Sequence, residues 1–321
     1  MSHLSRLALS AVVLSSAAFA ACGSDAVRGF QVDPPAESDA GTADDSSIAE
    51  AAPPVDSASS TDAASSDAGA WPTCDSQPAM AAAHSIAEVW TANPTAPAQT
   101  WLSGVYVTAI SGSACVANKA CQIFVQTDPS YATLAAAAHN AIKIFISTST
   151  SHYFTGIQVG DKIDALGYAW RYNLTGQNEL LVEVNTLFPG CAKKTGTGAV
   201  LPIPGVKLSD LTLSAYEDTL GPVLVTLSGV SGKYVPPATQ TFALFPPNDA
   251  GVIDAGADAG TTTLVSLSPY FLAGGGFSGL PANTMTHFTS VAGVFGLFIP
   301  SAGAPPKYLE LYPRTMGDVV Q

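Results

Sequence analysis

Charge is what this sequence has least of. Only 12% of its 321 residues are charged, and the positive sign is the scarcer, with 12 Lys and Arg against 25 Asp and Glu for a formal net of −13. A surface that tracks phosphates needs clustered Lys and Arg, and no such cluster is present, so nucleic acid is set aside as a partner. Metal-ligand spacing is missing too. There is no C-x-x-C and no H-E-x-x-H, and the five histidines (His3, His84, His139, His152, His287) are scattered singly. The glycine-rich stretch 274–279 is not a G-x-S-x-G elbow, and no Gly-rich loop ends in Lys-Ser or Lys-Thr. Asp-Ala-Gly repeats at Asp249, Asp254 and Asp258 lack the alternate-residue oxygens and closing Glu of a calcium loop. Nothing points to a Ser-His-Asp triad. No cofactor, no metal and no enzymatic activity are therefore expected.

What is present is strongly divided along the chain. Residues 1–21 read as a leader: Arg6 is a short basic start, and 7–20 is an apolar run too short for a permanent membrane span. From 23 to 70 ten acids face Arg28 alone, among Ala, Ser, Asp and Pro, with Phe30 the single aromatic. Such a segment cannot bury enough apolar surface to offset chain entropy, so 22–70 is expected to be a disordered tether. Its span as a random coil would be roughly 40 Å.

The remainder divides into two similar halves, 71–205 and 206–321. The stretch 156–184 reads as strand, glycine bend, hairpin and strand: Ile163 and Ala165 alternate, Gly167 bends the chain, 173–176 turn it, and Leu180, Val182 and Val184 alternate out. Before it, 101–110, 121–126 and 141–147 supply three more strands. The cycle recurs as 221–230, 241–245, 262–267, 286–298 and 307–313, interrupted by a tether-like insert at 246–261. Residues 80–90 are compatible with a helix, and 131–140 with a helical turn or a loop. Five strands twice, with a bent fourth strand, predict an all-β protein of two tandem small OB-like barrels.

Five cysteines are an odd number for an exported protein. Cys115 and Cys121 bracket a short step between strands one and two and can close it as a disulfide. Cys74 and Cys191 can then tie the front of the first barrel to the loop leaving it. Cys22 is left over. Phe19-Ala20-Ala21-Cys22 resembles the lipobox of bacterial lipoproteins, which implies lipidation of Cys22 and a membrane partner through that lipid. The competing cut after Ala18-Phe19-Ala20 would leave a spare thiol. The lipobox implies a Gram-negative cell envelope, at the periplasmic or surface face of the outer membrane.

Tyr168, Trp170 and Tyr172 alternate and share one face of a strand, with Arg171 on the other face. They are the candidate ligand-binding residues, because aromatic rings stack on sugar faces and so little positive charge accompanies them. The competing reading is packing, within the core or between barrels. Asn173-Leu174-Thr175 matches a glycosylation sequon, which carries no weight in a bacterial protein.

Val159-Gly160-Asp161, Gly167, Tyr172 and Glu179-Leu180 resemble the OB-like domains that accompany secreted bacterial nucleases. Tyr216-Glu217-Asp218 before Val223-Leu224-Val225, with Leu311-Tyr312-Pro313-Arg314 and Asp318-Val319, resembles the second half of that pattern. The catalytic domain usual in that family has no counterpart here. The resemblance implies an accessory module, so the expected function is non-catalytic binding of a glycan or envelope protein. The alternative is a hydrolase or nuclease-type enzyme with a metal-dependent site.

Overall fold

Ser85 begins the first well-capped element in a computed structural model of the chain. The structure describes residues 74–321 apart from 80, 112–113, 173–177, 235–241, 247–264, 273–276, 278–279, 281–283 and 299–307. The lipobox and Cys22, the tether, the sequon, most of the acidic insert and most of the glycine-rich stretch lie outside the described residues. Everything described falls within one compact unit, Pro53–Gln321.

After a short edge strand β1 (Ala82–His84), helix α1 (Ile86–Ala92) starts on a reciprocal cap. The Ser85 side chain accepts from the Glu88 amide at 3.2 Å, and Glu88 Oε2 accepts from the Ser85 amide at 2.7 Å. Asn93 ends the helix in the left-handed region, at φ 43°. The helix buries Ile86, Val89 and Trp90 in the bottom of the first barrel.

That barrel comprises β2 (Ala98–Ile110), β3 (Cys121–Gln126), β4 (Ala141–Ile146), β5 (Asp161–Tyr172) and β6 (Glu179–Val184). The hydrogen-bonded order is β2-β3-β4-β6-β5, and β5 returns to β2 to close it. Only β4 and β6 run parallel. The helical turn α2 (Leu134–Ala137) lies between β3 and β4. Alternation sends Ile123, Val125, Ile142, Ile144, Ile163, Ala165, Leu180, Val182 and Val184 inward. Gly167 sits where β5 bends over β6, and a Cβ there would come within 2.4 Å of Val182 Cγ1. β7 (Cys191–Thr197) adds an edge strand against β5.

The second barrel repeats the plan. After β8 (Ile203–Val206), its strands are β9 (Leu224–Tyr234), β10 (Phe242–Phe245), β11 (Val265–Leu267), β12 (Met285–Phe298) and β13 (Tyr308–Tyr312). The order is β9-β10-β11-β13-β12 with β12 closing on β9, and β11 and β13 are the parallel pair. β8 flanks β9, and β14 (Val319–Val320) flanks β12. The protein is therefore two closed five-stranded OB-like barrels, as the doubled strand pattern predicts.

Both expected disulfides are present: Cys74 is bonded to Cys191, and Cys115 to Cys121.

The barrels share a buried seam. Between β8 and β9, α3 (Leu213–Ala215) runs on into a helical turn over Tyr216–Leu220, ending at Gly221 with φ 58°. A Cβ at Gly221 would lie 2.9 Å from the Trp90 ring, so this junction needs glycine on both counts. Phe124 of the first barrel packs with Leu224, Phe271, Val294 and Tyr312 of the second. The buried Gln126 side chain accepts from the Leu224 amide at 2.9 Å.

Candidate functional site

In OB barrels the usual ligand face lies over strands two and three. In the first barrel these are β3 and β4, and much of that face is spent on the seam. Phe124 is 2% exposed and Gln126 fully buried, and their partners belong to the second barrel. Lys143, also facing outward, is committed to Glu179.

The uncovered outer face lies on β6 and β5. Register places Tyr168 opposite Glu183, Trp170 opposite Leu181 and Tyr172 opposite Glu179. Phe145 of β4 stands beside Glu183. Because β5 sends its odd-numbered residues into the core, Tyr168, Trp170 and Tyr172 emerge together on the outside, half-buried. None of the three joins a hydrophobic core cluster. Trp170 and Tyr172 meet edge to face at 5.2 Å, and Tyr168 contacts Phe188 at 5.1 Å. Burial, then the nearby Glu183 and Glu179 carboxylates, raise the Tyr172 hydroxyl above its usual range.

A chain of hydrogen bonds fixes this face. Trp170 Nε1 donates to Glu183 Oε2 at 2.9 Å, and Asn185 Nδ2 donates to Glu183 Oε1 at 2.8 Å. Asn185 Oδ1 in turn accepts from the amides of Leu187 and Phe188, at 2.8 and 2.9 Å. This turn leaves Leu187 81% exposed.

Arg171 does not join them. Its Nε donates to Asn93 Oδ1 at 2.5 Å and its Nη1 to the Glu217 carbonyl at 2.9 Å, and its guanidinium lies over the Trp90 ring at 5.7 Å. Glu217 belongs to the helical turn of the second barrel. His139 bonds the same turn, its amide to the Thr219 carbonyl at 2.7 Å and its Nε2 to the Asp218 carbonyl at 3.1 Å. Arg171 and His139 thus cap carbonyls at the seam. Glu183, Asn185 and Phe188 are the site residues that sequence reasoning missed. The turn-forming Asn185 before Leu187-Phe188-Pro189-Gly190 was their available signal.

Elsewhere, Ser231 Oγ lies 2.7 Å from His287 Nδ1 across the β9–β12 pair. Ser231 is 1% exposed, and among the described residues no carboxylate bonds His287. Among the described residues no group of three or more His, Cys, Asp or Glu is gathered for a metal. Likewise, among those residues no helix is long and apolar enough to cross a membrane.

The chain matches no known family model, and no curated protein aligns with it significantly.

Proposed function

We propose that this protein is a non-catalytic binding module of the bacterial cell envelope, presenting the outer aromatic face of its first barrel to a glycan. The observation that carries the reading is the outward row of Tyr168, Trp170 and Tyr172, with rings outside the apolar core clusters. Stacking of sugar faces on such rings supplies affinity without charge. Trp170→Ala should abolish retardation of the protein in gels containing a bound polysaccharide, with its thermal midpoint kept. Unchanged retardation would remove the face from the reading.

Attachment through a lipidated Cys22 belongs to the same proposal. Four of the five cysteines are paired with one another, which leaves Cys22 as the remainder. An acyl chain contributes about 0.8 kcal/mol per buried CH₂, so several chains on one residue would hold the protein on the outer membrane. Intact mass of the protein from native membranes tests it: a mature chain starting at an unmodified Ala21 would exclude the anchor.

The rival reading, a hydrolase, has the Ser231–His287 pair in its favour. It requires an activity on polysaccharide or ester that Ser231→Ala removes, and a metal-dependent version requires one that a chelator removes.

A further inference from the structure

Among the described residues the outer aromatic face carries acceptors and no uncommitted positive charge. The two cations that adjoin it are both engaged. Lys143 is paired with Glu179 at the floor of the sheet, and Arg171 is directed to Asn93, Asn178 and the Glu217 carbonyl on the other side of the strand. An anionic ligand lying across Tyr168, Trp170 and Tyr172 would meet Glu183 with nothing to balance it.

Glu183 itself is clamped. Among the described residues each carboxylate oxygen takes one hydrogen bond, Oε1 from Asn185 and Oε2 from Trp170. A carboxylate oxygen has two lone-pair directions, so each can still accept one more bond. The two donors also hold the group in one orientation, so little rotamer freedom remains to be lost when a ligand binds. The residue is half-buried on the same side of the sheet as the rings, directly opposite Tyr168 in the register and beside Phe145. The face therefore offers flat apolar rings next to a fixed pair of strong acceptors. Its matching ligand has a flat C–H face and adjacent donor groups, as vicinal sugar hydroxyls provide, and carries no negative charge.

We infer that Glu183 is the specificity-determining residue of this face, reading paired hydroxyls of an uncharged glycan and rejecting polyuronates, with Asn185 and Trp170 as its positioning residues. The inference rests on the glycan reading given above and specifies its substrate class.

The test uses the full chain with two probes, a soluble neutral glucan and a polyuronate of similar length, measured by affinity electrophoresis and calorimetry. The parent protein should bind the glucan and not the polyuronate. Glu183→Gln keeps the shape and an acceptor for Trp170 but removes the charge. It should weaken glucan binding about tenfold and admit the polyuronate. If that variant fails to fold, Trp170→Phe is read instead; it keeps a ring and frees the carboxylate, and glucan binding should fall while polyuronate remains excluded. Binding that Trp170→Ala abolishes, but whose neutral-to-acidic ratio Glu183→Gln leaves unmoved, would overturn the role of Glu183 and leave the glycan reading standing. A parent protein that binds neither polymer, or that captures a Lys- and Arg-rich peptide in their place, would overturn both.

Discussion

Tyr216 of the second barrel donates its hydroxyl hydrogen to Glu179 of the first, beneath a surface where neither residue is more than 4% exposed. Lys143 holds the other carboxylate oxygen, and the Tyr216 ring stands edge-on to Phe295 in the second core at 5.3 Å. One bond thus links the fifth strand of one barrel to the packed interior of the other. Burial and the Glu179 carboxylate hold the Tyr216 hydroxyl well above its ordinary range, so it stays a donor at any physiological pH.

Tyr216→Phe should therefore cost about 1–3 kcal/mol, the range for losing a buried hydrogen bond to a charged group. Glu179→Ala should cost more, because it also leaves Lys143 without its partner in a place where its side chain is only 12% exposed. Denaturant titrations of both variants and of the double variant measure the coupling. A coupling energy near zero would mean that the bond does not hold the barrels together.

The seam should make the two barrels unfold as one. Intrinsic fluorescence, to which Trp90, Trp101 and Trp170 of the first barrel contribute, reports that barrel, and far-ultraviolet circular dichroism reports the strands of both. The two transitions should coincide. Arg171→Lys keeps the charge and loses the planar fork that reaches both Asn93 and the Glu217 carbonyl. It should lower stability by about 1–3 kcal/mol while leaving ligand affinity unchanged, since Arg171 faces away from the rings.

Glu310 gives the protein a pH dependence of unusual sign for a carboxyl. Burial raises it from 4.5 to about 7, and hydroxyls of Tyr312 and Ser268 offset this only in part. The folded state thus prefers the protonated form. Its contribution is complete below the unfolded value of 4.5 and is lost as pH rises through about 7. The change is on the order of 3 kcal/mol. Glu310→Gln should flatten the fall in stability across that interval. A stability profile for Glu310→Gln that still falls as steeply as the parent's would locate the effect elsewhere.

The two disulfides should differ in weight. Cys74–Cys191 closes a loop with a sequence separation of 117, and Cys115–Cys121 one of 6. Loop-closure entropy assigns them about 5 and about 2 kcal/mol. Denaturation of the two double-Ala variants, measured in oxidising buffer, should preserve that order.

Much of the fold was legible because ten strands carry their instructions locally. Strands such as 121–126 and 141–146 alternate, and both barrels repeat the same punctuation. The flanking strands were not legible. β7 reads CAKKTGT with no apolar period, and β8 is IPGV, whose Pro204 and Gly205 signal a loop. Both become strands only because β5 and β9 offer free edges to pair with. At the site, period two correctly grouped Tyr168, Trp170 and Tyr172. The role of Arg171 could not be assigned the same way, because its partners include Asn93, 78 residues earlier, and the Glu217 carbonyl, 46 residues later. Glu183 was hidden inside ELLVEV, where alternation identifies the core face and is silent about what the outward carboxylate touches.

The bond between Cys74 and Cys191 also decides how the molecule carries mechanical load. Tension arriving from the residues before Cys74 crosses the sulfur bridge directly to the start of β7 and continues from there toward the second barrel. The strands β1 to β6, with the aromatic face among them, lie inside the covalent loop and off the covalent load path. A pull on the chain therefore cannot draw out the ring-bearing strands between Cys74 and Cys191 until that bridge is reduced.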